Sequence, residues 1–84
     1  MEARAKTFHL MIASVGDTRF DGESISATLP GAAGEFTVLA HHEPIVTTLK
    51  GGVITVHDAS GERKEFQIEN GVFECSGNRA VVLL

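Results

Sequence analysis

The stretch SISATLPGAAGEFTVLAHHEPIVTTLKGGVITV, residues 24–56, decides the fold. Its apolar side chains recur at every second position, and this period is typical of half-buried β-strands. Ile25, Ala27 and Leu29 are expected to face the core, while the alternating serine and threonine side chains face solvent. Residues 30–34, 40–44 and 51–52 interrupt the alternation with glycine, proline or polar residues. The stretch therefore predicts short strands that are joined by tight turns.

The same pattern continues on both sides of this stretch. Further strands are predicted over 7–14, 18–20, 64–68, 72–75 and 79–84. Asp21–Gly22 is predicted to form a tight turn, and Asn70–Gly71 carries the strongest hairpin signal in the chain. About nine to ten short strands predict an all-β fold, a flattened β-sandwich or barrel. The length of 84 residues fits one domain, over residues 1–84.

Composition and charge argue against several classes of protein. The formal net charge is −4 and the seven basic residues are scattered, whereas nucleic-acid binding normally needs a clustered basic face. The chain contains no apolar run of the length that a membrane span or a secretory signal needs. A single cysteine, Cys75, excludes an intramolecular disulfide bond and suits a reducing compartment. We therefore expect a cytoplasmic protein that does not bind nucleic acid.

The histidines are the first candidates for a functional site. His41, His42 and Glu43 are residue types that bind metals, and His9 or His57 are candidates to complete such a site. Adjacent residues of an extended strand point to opposite faces, so the two neighbouring histidines are not expected to converge. We expect no metal site, and we expect surface or interface histidines instead. A free-standing β-sandwich module that holds a small ligand or metal through His41, His42 and Glu43 is the alternative.

No other combination of residues indicates catalysis. Cys75 lies in an alternating strand, where a small side chain packs well and a nucleophile is not indicated. The loop Pro30–Gly34 lacks the Lys-Ser/Thr of a phosphate-binding loop and is followed by the carboxylate of Glu35. The acidic residues lie mostly in predicted turns or on polar strand faces. We expect no enzymatic activity and no cofactor.

The chain resembles the N-terminal β-sandwich domain of the epsilon subunit of F-type ATP synthase. The resemblance covers about 7–84 and rests on FHLMIAS (8–14), RFDGE (19–23), the stretch 24–56 and ENGVFECSGNRAVVLL (69–84). Its most specific part is a Pro-Gly-x-x-Gly-Glu loop that leads to His-x-Pro and an apolar Thr-Leu-Lys.

Three departures from the family pattern stand out. The family usually has Pro-Gly-His-x-Pro where this chain has Ala40-His41-His42-Glu43-Pro44, so a different turn geometry is expected there. Asn70–Gly71 replaces two glycines, which is a mild change because asparagine tolerates positive φ. Most family members continue into a pair of helices that restrains ATP hydrolysis, whereas this sequence stops with the last predicted strand.

The resemblance implies a non-catalytic central-stalk subunit that couples rotation of the c-ring to ATP synthesis or hydrolysis. By motif position, the residues implied to contact the c-ring loops are Gly31, Ala32, Ala33, Gly34 and Glu35. The residues implied to face the gamma subunit are Ser14, His42 and Thr47. The resemblance further implies a peripheral location on the cytoplasmic side of the bacterial inner membrane, without direct membrane insertion. The isolated domain is expected to be monomeric.

Overall fold

A computed structural model describes residues 6–84, and this part of the chain is all-β with eight strands. The strands are β1 (Phe8–Ser14), β2 (Asp17–Gly31), β3 (Gly34–Leu39), β4 (Ile45–Leu49), β5 (Gly52–Asp58), β6 (Arg63–Ile68), β7 (Gly71–Ser76) and β8 (Arg79–Leu83). The predicted all-β fold is confirmed. The strand count is lower than the nine to ten predicted. One reason is that the strand predicted over 18–20 and the first strand of the stretch 24–56 form a single long strand.

That merged strand is β2, and the tight turn predicted at Asp21–Gly22 is wrong. The first part of β2 pairs with β1, while its second part pairs with β3 and β5. The register of β2 against β5 shifts between Ser24 and Ser26. A bulge of this kind bends a strand, so that one strand can serve two sheets. Asp21 and Gly22 therefore lie in extended backbone opposite Met11 and Leu10.

Two layers of strands enclose the core. We call the run β1-β8-β7-β4 the first layer, and the group β3-β2-β5-β6 the second layer. Within the first layer β1 and β8 run parallel, and the other neighbouring strands are antiparallel. Phe36 of β3 packs edge-to-face on Phe73 of β7, with ring centroids 5.5 Å apart. The buried apolar residues are Phe8, Leu10, Ile12, Ala27, Leu29, Val38, Leu49, Ile54, Val56, Ile68, Phe73, Cys75, Ala80 and Val82.

Ser24 departs from the predicted alternation because of the bulge in β2. Ala27 and Leu29 are buried as expected, but Ile25 is half-buried and the Ser24 side chain is fully buried. Among the residues that the structure describes, the Ser24 hydroxyl has no hydrogen-bond partner. A buried hydroxyl without a partner is destabilising, since it has lost its hydrogen bonds to water.

Asn70–Gly71 does not form the predicted hairpin turn. The strand β7 that follows pairs with β4 and β8, while β6 pairs with β5, so this dipeptide carries the chain from the second layer to the first. A Cβ atom on Gly71 would lie 3.0 Å from the carbonyl oxygen of Leu83. Gly71 is therefore suited to close packing between strands rather than to a turn.

Candidate functional site

The loop predicted to contact the c-ring is the tip of the β2–β3 hairpin. Gly31 pairs with Gly34 across a two-residue turn, and Ala32, Ala33, Gly34 and Glu35 are exposed. The structure thus brings the five predicted residues together on one projecting hairpin. The arrangement offers backbone groups and one carboxylate to an approaching partner.

The base of this hairpin is attached to the end of β4. The backbone N–H of Ala32 donates to the carbonyl oxygen of Thr48 at 3.0 Å, and the N–H of Lys50 donates to the carbonyl oxygen of Pro30 at 2.9 Å. Gly31 also pairs with Leu49, which joins the second layer to the first at this point. These contacts hold the hairpin from both sides and leave its tip free to make contacts.

Gly31 is required by this close packing. A Cβ atom at this position would lie 2.6 Å from the carbonyl oxygen of Gly34 and 2.9 Å from the Phe36 ring. Both distances are shorter than van der Waals contact, so any side chain at position 31 would clash with the Gly34 carbonyl oxygen and the Phe36 ring. Gly31 is buried and supports the loop, whereas the four residues after it form the accessible surface.

Ser14, predicted to face the gamma subunit, ends β1 at one open end of the sandwich. It lines a cleft of about 380 Å³ together with Arg19, Gln67, Ile68, Glu69, Asn70 and Leu84. Arg19 closes one side of the cleft, because its guanidinium donates to the carbonyl oxygen of Gln67 at 3.4 Å. The Leu84 N–H donates to the carbonyl oxygen of Ala13 at 2.8 Å, which fixes Leu84 next to the end of β1.

His42 lies at the other end of the sandwich, beside Cys75. The His42 Nδ1–H donates to the carbonyl oxygen of Glu43 at 2.7 Å, and the Cys75 thiol donates to the same oxygen at 3.3 Å. Both groups therefore act as donors, and the His42 Nδ1 is not free to act as a base toward Sγ. Burial also raises the pKa of the Cys75 thiol, which disfavours the reactive thiolate. The cysteine packs in the core, as the sequence predicts.

Thr47, the third position implied to face gamma, lies in the middle of β4. It pairs with Phe73 and is half-buried. Ser14 and Thr47 belong to the outermost strands of the first layer, and His42 precedes β4 at the end remote from Ser14. The structure places the three residues around the first layer and does not gather them at one point.

His41 has an unusual backbone conformation, with φ of 63°. It stands at the position where the family pattern has glycine, and this left-handed region favours glycine over other residues. The His41 N–H donates to Asn78 Oδ1 at 2.7 Å, and Asn78 Nδ2 donates to the carbonyl oxygen of Thr7 at 2.9 Å. Asn78 therefore links the β7–β8 turn to two other segments.

The Asn78 contacts were not predicted from the sequence. The Gly77–Asn78 pair does predict a turn, and φ values of 58° and 61° confirm it. Its side-chain partners are 37 and 71 positions away along the chain, so no local pattern indicates them.

The histidines named as candidate metal ligands make separate contacts. His9 lies between two carboxylates, with Nε2 at 2.6 Å from Asp21 Oδ1 and Nδ1 at 3.2 Å from Glu23 Oε2. His57 Nδ1 is 3.3 Å from the Ser26 hydroxyl. Over residues 6–84, no three His, Cys, Asp or Glu side chains form a group that could hold a metal ion. The described part of the chain also has no helix long and apolar enough to cross a membrane.

Comparison with known proteins identifies the family. Residues 7–84 match the family model described as ATP synthase, Delta/Epsilon chain, beta-sandwich domain. The chain belongs to this family. It is 36% identical over 83 residues to the ATP synthase epsilon chain of Chlorobium limicola, covering 99% of this chain and 94% of that relative. It is also 36% identical over 67 residues to the epsilon chain of Rhizobium rhizogenes, covering 80% of this chain but only 50% of that relative.

Solved structures show the same fold. A chain of the Euglena gracilis mitochondrial ATP synthase, solved as an OSCP/F1/c-ring assembly, superimposes with a TM-score of 0.87 at 19% identity. The superposition covers 98% of this chain and 52% of that chain. The resemblance to the ATP synthase epsilon family inferred from the sequence is thus confirmed, as is the β-sandwich fold.

Proposed function

We propose that this protein is an epsilon subunit in the central stalk of an F-type ATP synthase, where it couples rotation without catalysing a reaction. The observation that carries the proposal is the family match over residues 7–84, supported by relatives that are named epsilon chains. Under this proposal residues 1–84 act as a single epsilon-type domain. The subunit is peripheral, on the cytoplasmic side of the bacterial inner membrane, and needs no cofactor.

The β2–β3 hairpin is the proposed contact with the c-ring loops. Its tip is exposed and its base is attached to β4, so a force on the tip passes into both layers. Glu35 is exposed, and within residues 6–84 it makes no ion pair. Its carboxylate is therefore available to accept hydrogen bonds from basic or amide groups on the ring loops.

The gamma subunit is proposed to contact the region marked by Ser14, His42 and Thr47. These residues surround the first layer, whereas the exposed tip of the β2–β3 hairpin projects from the second. Two contact surfaces on one stiff sandwich are what torque transfer needs, because the ring and gamma must turn together.

The test of the ring contact is charge reversal at Glu35. Glu35→Lys should reduce retention of the subunit on the c-ring at least about tenfold, since a hydrogen bond to a charged group is worth roughly 1.5–3 kcal/mol. The measurements are co-purification with the c-ring and gamma, and ATP-driven ion pumping in membrane vesicles.

Glu62→Lys is the matched control. Glu62 is an exposed carboxylate next to a different hairpin, between β5 and β6, and its substitution changes the net charge by the same amount. Retention of this variant should equal that of the wild type. If Glu35→Lys and Glu62→Lys behave alike, the hairpin is not the ring contact.

A further inference from the structure

The dipeptide Asn70–Gly71, which carries the chain from the second layer to the first, has a reactivity of its own. Asparagine is one of the thermolabile residue types, because its side-chain amide can be lost chemically. The loss is fastest before glycine, which has no side chain to shield its backbone nitrogen. The chain contains two asparagines, Asn70 and Asn78, and only Asn70 precedes a glycine. The sequence singles out Asn70, and the fold decides how accessible its amide is.

Asn70 is exposed and lies outside the strand ladders. β6 ends at Ile68 and β7 begins at Gly71, so Glu69 and Asn70 form the connection between them, and neither pairs with a neighbouring strand. Within residues 6–84 the Asn70 side chain makes no hydrogen bond. It lines the cleft beside Ser14, which is open to solvent. Water therefore reaches the Asn70 amide, and no contact holds this amide in place.

The nitrogen of Gly71 lies at the end of a ladder. Gly71 is opposite Leu49 in the last pair between β4 and β7. The ends of strands open locally at a much lower free energy than their centres do. Opening of this one terminal pair is enough to free the Gly71 nitrogen, while the rest of the sheet stays intact.

Asn78 is held in a way that Asn70 is not. Its Oδ1 accepts a hydrogen bond from the His41 N–H at 2.7 Å, and its Nδ2 donates to the carbonyl oxygen of Thr7 at 2.9 Å. The residue that follows it is Arg79, whose side chain shields the backbone nitrogen. Asn78 is therefore an internal reference of low reactivity within the same chain.

Asp21–Gly22 is chemically related but is also held by the fold. An aspartate before glycine can form the same cyclic imide, with water as the leaving group. This dipeptide lies within β2 and pairs with β1, and Asp21 Oδ1 is 2.6 Å from His9 Nε2. Among these three positions, Asn70 is the one that combines exposure, a free side chain and a glycine at a strand end.

We propose that Asn70 is a site of spontaneous deamidation, with isoaspartate as a product. The Gly71 nitrogen attacks Cγ of Asn70, so that an N–Cγ bond forms, the nitrogen loses its proton to solvent and the side-chain amide leaves as ammonia. Water then opens the cyclic imide. Cleavage of the bond between the nitrogen and the main-chain carbonyl carbon gives isoaspartate, and cleavage of the N–Cγ bond gives aspartate. One water molecule is consumed, one ammonia is released, and no oxidant is needed.

Isoaspartate lengthens the main chain where the packing leaves little room. A Cβ atom on Gly71 would lie 3.0 Å from the carbonyl oxygen of Leu83, and a Cβ atom on Gly51 would lie 3.3 Å from the carbonyl oxygen of Glu69. The connection is thus packed against the end of β8 on one side and against the residue before β5 on the other. An additional main-chain carbon atom has to displace one of these contacts, so isoaspartate should destabilise the fold.

The test follows the purified full-length chain during incubation in mildly alkaline buffer. Trypsin cleavage after Lys64 and Arg79 releases residues 65–79, and this one peptide contains both asparagines. Tandem mass spectrometry should show conversion of Asn70 to the acid at least tenfold faster than that of Asn78. Chromatography against synthetic peptides that carry aspartate or isoaspartate at this position identifies the product. Equal rates at Asn70 and Asn78, or a product without isoaspartate, would overturn the proposal.

The synthetic peptide 65–79 measures the effect of the fold. If the fold leaves Asn70 accessible, the folded chain should deamidate at Asn70 within tenfold of the rate in the free peptide. A rate that is a hundredfold slower in the folded chain would mean that the fold protects this position, which contradicts the proposal. Asn70→Gln is the conservative control, and it should show no conversion at this position because a longer side chain closes the ring slowly.

Asn70→Asp separates the new charge from the lengthened main chain. Deamidation adds one negative charge to a chain with a formal net charge of −4, so anion exchange separates the product from the starting protein. The isoaspartate form should melt at a lower temperature than Asn70→Asp, which carries the same charge on a main chain of normal length. Equal Tm values would refute the predicted destabilisation. The inference does not depend on the proposed function, since none of these measurements needs a partner.

Discussion

Replacement of Ser24 by alanine should stabilise the protein. The Ser24 side chain is fully buried where β2 passes between the layers, and its hydroxyl has no partner in the described part of the chain. Burial of an unsatisfied hydroxyl costs roughly 1–3 kcal/mol. Ser24→Ala removes that group and keeps the Cβ atom in place.

The expected gain follows from two opposing contributions. Loss of one oxygen atom leaves a small void, which at about 24 cal/mol per Å³ costs a few tenths of a kcal/mol. The net stabilisation is therefore about 1 kcal/mol. For a chain of this size that corresponds to a rise in Tm of roughly 4–8 °C.

Thermal and urea unfolding, followed by far-UV circular dichroism, measure this change. Ser26→Ala is the control, since it makes the same substitution two positions away, where the hydroxyl is 3.3 Å from His57 Nδ1 and partly exposed. Its stability should stay within about 0.5 kcal/mol of the wild type. A lower Tm for Ser24→Ala than for Ser26→Ala would refute the argument, because it would mean that the Ser24 hydroxyl is bonded.

Two further changes test the β3–β4 and β5–β6 connections. His41→Gly should raise the free energy of unfolding by about 0.5–1 kcal/mol, since relief of the left-handed conformation, worth roughly 1–2 kcal/mol, exceeds the entropy cost of glycine. His41→Ala should not raise the free energy of unfolding, because alanine keeps a Cβ atom. Equal Tm values for His41→Gly and His41→Ala would contradict the expected stabilisation. At Asp58 the Ser60 hydroxyl, assisted by backbone N–H groups and Lys64, lowers the pKa of the carboxyl. Because the pKa of Asp58 is lower in the folded state, the ionised carboxylate stabilises the fold when the pH is above the pKa of the unfolded state. This stabilisation is lost as the pH falls and the carboxylate is protonated. The Tm difference between wild type and Asp58→Asn should therefore narrow below about pH 4. A difference that stays constant from pH 7 to pH 3 contradicts this.

Membership of the epsilon family and the position of the β2–β3 loop could be inferred from the sequence, because both depend on short runs of adjacent residues. Residues 31–35 contain the glycines and the acidic residue that the loop needs, and they remain together in the structure. The turn at Gly77–Asn78 was likewise indicated by the residues themselves, since glycine and asparagine adopt positive φ at low cost.

The same local rules were wrong at Asp21–Gly22 and Asn70–Gly71. Both dipeptides have the composition of a hairpin turn, but one lies within a long strand and the other crosses between layers. Strand pairing depends on contacts between residues that are far apart in the sequence. The identity of two adjacent residues therefore does not indicate which strands will pair.

Period-two alternation was enough to determine an all-β chain with an apolar core, because each strand carries its own inward and outward residues. It could not determine which outward residues become neighbours. Val46, Val72 and Leu83 belong to separate strands, and only the pairing β8-β7-β4 places them on one face around Glu74. That these exposed aliphatic residues share one surface thus follows from strand order and register, which are decided when both layers pack together and bury the core.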